Sequence, residues 1–445
     1  MTNHKVKETI IRLLNNIGSE SEIRKYLKRF SSNEGMKFAI IKVGGGILKQ
    51  DIDNLVSSLS FLQQVGLTPI VVHGAGPQLD EQLQQANISP QFIDGKRVTN
   101  PEVLKVARKV FISENHNLVS ALKSAGVDAV SFYSGIFECE LDAKDLGLVG
   151  TIKSVHDEDL IESVRNGAIP VVSPLGETEQ GQIVNVNADI ATLALAKTIE
   201  PYKVVFLTGT GGILDANDKL IPVISLQNDY EHMMQQDWLH SGMKLKLQQI
   251  HELLNSVSSA TSVSITKPGL VAKELFTDRG SGTLVNKGEK ILTFTDWQQI
   301  SRDKLAQLIE SSFGHSLSDD YFEQTRLHTA YVTECYRAAT IVTHDYTVPY
   351  LDKFVVEDGA KGEGLGTAVW NTMLHDNPQL FWRASTYNPI NKFYYSVADG
   401  FIRGKEWNVF WRGIDDLSLI QSCIQQATGR ARTVVNSGEI PGEQS

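Results

Sequence analysis

From Phe38 to Thr266 the chain alternates between two patterns. Short β-branched runs ("FAIIKV", "PIVVH", "VDAVSF", "IPVVS", "KVVFLT" and "TSVSI") are separated by longer stretches such as Leu55–Val65, Pro101–Ala125, Ala188–Ile199 and Met243–Ser256. In those stretches apolar residues recur about every 3.6 positions, the period of a helix with one buried face. Strands that are apolar on both faces and alternate with helices predict a parallel sheet covered on both sides. Ligands in such folds bind beyond the carboxyl ends of the strands. The fold class is therefore α/β for this part of the chain.

Near Val285 the pattern changes. "LVNKGEKILTFTDWQQISRDKLAQLIESSFG" reads as a connection and a helix, and strand-like runs then follow closely: "TAYVTECYRAATIVT", "PYLDKFVVED", "QLFWRAS" and "EWNVFWRG". One glycine-rich turn and one helix interrupt them, which predicts the mixed sheet of an α+β domain. At 445 residues the chain is too long for one ordinary core. We divide it into an N-terminal helical arm (1–34), an α/β domain (35–285), an α+β domain (286–428) and a mobile tail (429–445). The tail "ATGRARTVVNSGEIPGEQS" has few large apolar residues to hold it.

The arm is basic and amphipathic, with Ile10, Leu13, Leu14 and Ile17 at helical spacing. A mitochondrial presequence would share those features, but Glu8, Glu20 and Glu22 count against one. We favour an exposed helix that packs on a partner subunit over a targeting peptide or a plain surface helix. A homo-oligomer, either a dimer or a tetramer, is the expectation. A net charge of -10 gives no support to a nucleic-acid surface, and no apolar run approaches the ~20 residues of a membrane span. Cys139, Cys335 and Cys423 stand apart with no CxxC spacing, which fits a reducing, cytoplasmic setting and predicts no structural metal.

"KFAIIKVGGGILKQ" ends an apolar strand with Lys42, Gly44, Gly45 and Gly46. Glycines between strand and helix let backbone N–H groups approach phosphate oxygens, and the helix N-terminus favours the anion. The pattern is neither GxxxxGK[ST] nor GxGxxG, so neither the common nucleotide loop nor a dinucleotide fingerprint is present. "HGAGPQ" (His73–Gln78) repeats the device. "DGKRVT" puts Arg97 in a polar loop, "NVNAD" puts Asn185 and Asp189 at the mouth of an apolar helix, and "SGMKLK" puts Lys244 and Lys246 in the opening turns of another. Each piece also has a plain structural reading: a tight turn, a solvated arginine, a helix cap or a surface lysine.

Together these motifs, with "FLTGTGGILD" and "ELFTDRGSGTLV", resemble the amino-acid kinase family, and most closely its N-acetylglutamate kinases, over about residues 35–285. The resemblance implies that Lys42 and Lys246 contact a transferring phosphoryl group and that Asp189 holds the two lysines. It also implies that Arg97, Asn185 and Gly76 serve the acylamino-acid substrate and that Gly44 and Gly45 line the phosphate path. ATP with Mg2+ would be the cosubstrate. Arginine is the implied effector near Glu274 and Gly280. Ala75, Gly209, Ser241 and Gly269 depart from the family's usual residues.

In the second domain, "KGEGLG" (Lys361–Gly366) before an amphipathic helix forms a further anion cradle. Its spacing resembles the acetyl-CoA loop of GNAT-type N-acetyltransferases, with Lys361, Gly362, Gly364 and Gly366 in the loop positions. "FWRASTYNPINKFYY", with "YLDKF" and "DGF…W", resembles the acetyltransferase domain of vertebrate-type N-acetylglutamate synthases over about residues 290–425. That resemblance implies that Lys353, Arg383 and Asn388 bind glutamate and that Tyr394 donates a proton to the departing thiolate. Lys353 and Arg383 also stand out on physical grounds, because cations on otherwise apolar strands require anionic partners. Tyr394 has a plain reading as a core aromatic. Ser385 departs from a family arginine.

The two resemblances converge on one metabolite. They imply an arginine-biosynthesis enzyme that makes N-acetylglutamate from glutamate and acetyl-CoA and phosphorylates it with ATP. The alternatives are a synthase whose kinase fold only binds arginine as a regulator, a kinase with an idle acetyltransferase domain, and a non-catalytic scaffold.

Overall fold

The computed structural model describes residues 20–30, 38–93, 95–258, 261–277 and 280–435. A first compact unit ends at Lys287 and a second begins at Gly288.

The central sheet of the first unit has eight strands, in the order Val223–Ser225, Thr283–Asn286, Ser262–Thr266, Lys203–Leu207, Ala39–Val43, Ile70–His73, Ile169–Val172, Ala129–Phe132. Each of the six β-branched runs supplies one strand. Every neighbouring pair is parallel except Ser262–Thr266 with Thr283–Asn286. Side chains alternate between faces along a strand. Ile40, Val72, Val204 and Phe206 pack on one side with the helices Ala188–Ile199 and Ser241–Ser256. Ile41, Val43, Val71 and Val205 pack on the other with Ile52–Gln64 and Val271–Phe276. By the same alternation Lys42 lies on the face of Ile40, the face covered by the first two helices.

The described part of the N-terminal arm differs from expectation. Ile23, Tyr26, Leu27 and Phe30 of the helix Glu20–Phe30 are buried against this unit's own core, and the Phe30 ring stands edge-on to Phe38 and Phe276. These four apolar residues are covered within the chain, whereas the stripe that suggested a partner subunit is Ile10, Leu13, Leu14 and Ile17. Ile10–Ile17 lies outside the described residues.

A four-stranded sheet, Ile183–Asn185, Leu175–Thr178, Phe137–Leu141, Gly150–Val155, flanks the central one, and Phe92–Ile93 pairs with Lys96–Arg97 in a small hairpin.

The second unit is a mixed seven-stranded sheet, in the order Ile291–Phe294, Leu327–Thr333, Ala338–Thr343, Tyr350–Val356, Leu380–Ser385, Trp407–Arg412, Gly400–Arg403. Its one parallel pair, Tyr350–Val356 with Leu380–Ser385, is joined only at Tyr350↔Phe381 and Leu351↔Trp382. Beyond Leu351 that ladder stops. On the opposite edge the register slips between Ile341↔Lys353 and Val342↔Leu351, which leaves Asp352 as an extra, bulged residue.

The expected mobile tail is held at its start. Val434–Val435 pairs with Ser316–Leu317, and Arg430 is fixed by Asp345 and Asp352. Two buried or half-buried carboxylates restrain the segment despite its poverty in apolar residues. Residues 436–445 lie outside the described residues.

Candidate active sites

In the first unit, two glycine-rich turns leave the carboxyl ends of adjacent strands and pack on each other. The Gly74 amide donates to the Val43 carbonyl (2.8 Å), and Gln78 Nε2 donates to the Gly45 carbonyl (2.9 Å). A Cβ on Gly45 would stand 2.7 Å from Gln78 Oε1 and 2.8 Å from the Ala75 Cα, so only glycine allows this approach. Gly44 caps the short helix Gly45–Gln50, its carbonyl accepting from the Ile47 amide (3.0 Å). Gly76 opens the helix Gly76–Gln85, and a Cβ added there would meet no heavy atom within 4 Å. The third helix start, Ala188–Ile199, abuts them, with Ala188 Cβ 3.5 Å from where a Gly74 Cβ would lie. Asn187 caps it by accepting from the Asp189 and Ile190 amides.

Asp189 is thereby aimed at the strand ends. Its Oδ1 lies 2.8 Å from Lys42 Nζ and its Oδ2 3.3 Å from Lys246 Nζ, with the three side chains 14–19% exposed. Lys246 also lies over the Phe206 ring, 4.9 Å from its centroid. Phe206 is the register partner of Lys42. Burial pushes the Asp189 carboxyl up, but the two ammonium groups outweigh it and hold the group below the usual carboxylate range. Burial lowers Lys246; Asp189 opposes this and Lys42 adds to it, so its pKa lies below the ordinary lysine range. The result is a fixed pair of cations around one carboxylate, next to three helix N-termini. Such an arrangement stabilises negative charge that builds up between two anions.

Arg97 pairs with Asp80 (2.7 Å) and lies over Phe92, 4.6 Å from the ring centroid. Asn185 Nδ2 donates to Thr99 Oγ1 (3.1 Å). Thr99 is two residues from Arg97, so these two predicted substrate residues meet on one loop. The partner Asp80 was not foreseen from sequence; it lies two residues after "HGAGPQ" and reads as an ordinary helix residue. Glu274 is buried, and its Oε2 accepts from the Ser281 (2.7 Å) and Gly282 (2.9 Å) amides; Gly280 adopts φ +63° beside it. In this structure that carboxylate anchors its own loop.

In the second unit, the bulge at Asp352 brings neighbouring residues into contact. Lys353 Nζ lies 2.6 Å from Asp352 Oδ2 and 2.6 Å from Thr433 Oγ1. Tyr321 Oη donates to Asp352 Oδ2 (2.8 Å), and Arg430 Nε lies 3.5 Å from Asp352 Oδ1. Burial raises Asp352, but Lys353 and Arg430 outweigh it and keep the carboxyl low. Burial lowers Lys353, against the pull of Asp352. Arg383 donates to the carbonyls of Ala427 (2.7 Å), Arg430 (2.6 Å) and Ala431 (2.9 Å), and its guanidinium lies over Trp407. Lys353 and Arg383 are thus joined through the segment that follows the helix Leu417–Gly429. Sequence reasoning missed Asp352 and Arg430; an acid beside Lys353 in an apolar strand was the available signal.

The other predicted residues are placed separately. Asn388 Oδ1 accepts from the Ile390 amide, a turn contact just before the helix Asn391–Val397. Tyr394 is packed among Trp370, Trp382 and Phe410, and burial raises its pKa, so it keeps its proton. Lys361 Nζ pairs with Asp358 (2.6 Å). Gly362 (φ +85°) and Gly364 (φ +81°) occupy the left-handed region, and Gly364 caps the helix Leu365–Asp376. A Cβ on Gly366 would stand 2.9 Å from Val356 Cγ2, so that glycine lets the helix start close to the strand end.

The fold and the paired lysines define a phosphoryl-transfer class of protein, joined to an acyltransferase sheet. Residues 37–266 match the amino acid kinase family, and residues 292–430 match the N-acetyltransferase domain of N-acetylglutamate synthase. The chain belongs to the amino acid kinase family, in the form that carries this acetyltransferase domain. It is 50% identical over 425 residues to an acetylglutamate kinase of Xanthomonas campestris, spanning 94% of this chain and all of that one. It is 30% identical to the mitochondrial N-acetylglutamate synthase of Homo sapiens, covering 98% of this chain and 81% of that one. The N-acetylglutamate synthase of Neisseria gonorrhoeae, solved with coenzyme A and N-acetyl-glutamate, shares the fold with a TM-score of 0.58 at 18% identity, over 88% of this chain and 97% of that one.

Proposed function

We propose that this chain acetylates glutamate with acetyl-CoA and phosphorylates the resulting N-acetylglutamate with Mg-ATP, in arginine biosynthesis. The observation that carries the kinase half is Asp189 held between Lys42 and Lys246 at the carboxyl ends of the central strands.

In the kinase step a side-chain carboxylate oxygen of N-acetylglutamate attacks the γ-phosphorus of ATP. The bond from that phosphorus to the bridging oxygen breaks, and ADP leaves with the electron pair. Two anions must approach, so the chain's work is positioning and charge neutralisation. Lys42 and Lys246 neutralise the phosphoryl oxygens, Asp189 keeps both ammonium groups oriented, and the helix starts at Gly45 and Gly76 present amides to phosphate. Arg97 and Asn185 hold the acylamino acid. Mg2+ arrives with the nucleotide as part of the substrate.

In the acetyl step the neutral amine of glutamate attacks the thioester carbonyl. The C–S bond breaks, sulfur takes a proton from Tyr394 in this proposal, and the proton shed by the nitrogen as the amide forms passes to solvent, from which the tyrosinate is reprotonated. Burial keeps the Tyr394 phenol protonated at neutral pH, so the proton is present when the thiolate forms, while the same upward shift makes it a weaker acid. Lys353 and Arg383 supply positive charge for the glutamate carboxylates, and Asn388 supplies a side-chain amide. The glycines of the loop 361–366 admit the coenzyme A pyrophosphate. Arginine is the proposed effector of the first unit, at the loop that Glu274 and Gly280 close. Three unpaired thiols, Cys139, Cys335 and Cys423, support a reducing, cytoplasmic setting. Among the described residues no helix is long and apolar enough to cross a membrane.

The test is to incubate the purified chain with glutamate, acetyl-CoA and Mg-ATP and measure free thiol and ADP. Release of both, with ADP dependent on N-acetylglutamate, is expected. Thiol release without ADP would show instead that the kinase fold serves only as a regulatory module.

A further inference from the structure

The loop read as the coenzyme A cradle contains a carboxylate, Glu363, between Gly362 and Gly364. A negative charge there opposes a pyrophosphate. The segment also carries Glu357 and Asp358 against one cation, Lys361, which is paired with Asp358.

Arg337 answers this charge. It precedes the strand Ala338–Thr343, outside every motif that marked the site. Its three guanidinium nitrogens reach three carboxylates, two at the ends of this segment and one outside it: Nη2 lies 2.8 Å from Glu363, Nε 3.1 Å from Glu357, and Nη1 3.2 Å from Glu289. Its backbone is fixed as well, the amide donating to Thr333 Oγ1 (2.9 Å) and the carbonyl accepting from the Glu357 amide (2.8 Å). Glu357 precedes the turn Asp358–Ala360, and Glu363 sits just before the helix Leu365–Asp376. One planar fork therefore ties together the entry and the exit of the glycine loop. A lysine, as a point charge, has no such geometry.

We propose that Arg337 is a positioning residue for coenzyme A: it neutralises Glu363 and fixes the spacing between the two ends of the pyrophosphate loop. The proposal rests on the acyl-transfer reading of the second unit.

The experiment uses the full chain, with coenzyme A titrated calorimetrically and both activities assayed. Arg337→Met is expected to weaken coenzyme A binding about tenfold, equivalent to about 1.4 kcal/mol. The KM for acetyl-CoA rises similarly, while kcat, the KM for glutamate and ADP release from N-acetylglutamate change less than about twofold. Arg337→Lys falls between. Adding Glu363→Gln to Arg337→Met recovers most of the lost affinity, because the carboxylate between the loop glycines no longer opposes the pyrophosphate; a purely structural staple would show no such rescue. If wild type and Arg337→Met bind coenzyme A equally, the positioning role is overturned while acyl transfer stands. The role is also overturned if the variant loses kcat and melting temperature together and Glu363→Gln restores nothing. If the wild-type chain itself binds no coenzyme A, the acyl-transfer reading fails and this role fails with it.

Discussion

Lys42 Nζ lies 2.8 Å from Asp189 Oδ1, although three strands of the central sheet and four of the flanking one separate the two residues in chain order. The contact gives the carboxylate a definite job, because Lys246 approaches its other oxygen. Removing the charge from Asp189 leaves two cations facing one another in a partly buried site. Asp189→Asn is expected to lower kcat for phosphoryl transfer roughly 10²–10³-fold, the scale of losing a preorganised electrostatic group. Acetylation by the same sample stays unchanged, as parallel ADP and thiol assays will show.

The lowered pKa of Lys246 predicts a pH profile. In the proposed mechanism the reaction needs its ammonium form. Because burial outweighs the attraction of Asp189, the proton leaves at lower pH than from an ordinary lysine near about 10.4. Kinase kcat/KM should fall on an alkaline limb below that value. Lys246→Arg, which stays charged at all accessible pH, should lower the rate but remove this limb.

The two neighbouring glycines of the first turn should behave differently. Gly45→Ala places a Cβ 2.8 Å from the Ala75 Cα, so the backbone of the second turn must move. Gly46→Ala meets nothing within 4 Å. We expect Gly45→Ala to cut kinase kcat/KM at least about tenfold, and Gly46→Ala to stay within about threefold, the larger loss arising from displaced phosphate-binding amides. Steady-state kinetics with varied ATP checks both.

Stability of the first unit should carry a histidine signature. His73 is fully buried, Nε2 against Ser173 Oγ (3.1 Å), and burial lowers its pKa to about 4. The folded state binds the proton more weakly than the unfolded chain, so this group's contribution is complete above about pH 6.5 and is lost as pH falls towards 4. The integrated loss is roughly 3 kcal/mol. Urea unfolding between pH 7 and 4 should show that slope in wild type, and it should be reduced in His73→Gln.

Much of this was legible in the sequence because the central strands are buried on both faces. Runs such as "IIKV" and "KVVFL" leave no other reading, and a lone lysine in the first of them is conspicuous. The flanking sheet was missed for the converse reason: "FECEL" and "LGET" carry no apolar run. Ile291–Phe294 was read as a connection because it is short and follows a charged stretch. Asp80, Arg337 and Arg430 were silent because their roles depend on partners distant in sequence, whereas Asp352 was signalled by its place beside Lys353 in an apolar strand. The start of the tail was misjudged because ion pairs, not apolar burial, hold Arg430.

The most direct measurement follows labelled glutamate through the full chain supplied with acetyl-CoA and Mg-ATP, with acyl phosphate trapped by hydroxylamine. Wild type should give N-acetylglutamate and the trapped N-acetylglutamyl product, and Lys42→Ala should give N-acetylglutamate alone. An acyl phosphate from Lys42→Ala at the wild-type rate, or neither product from wild type, would contradict the account.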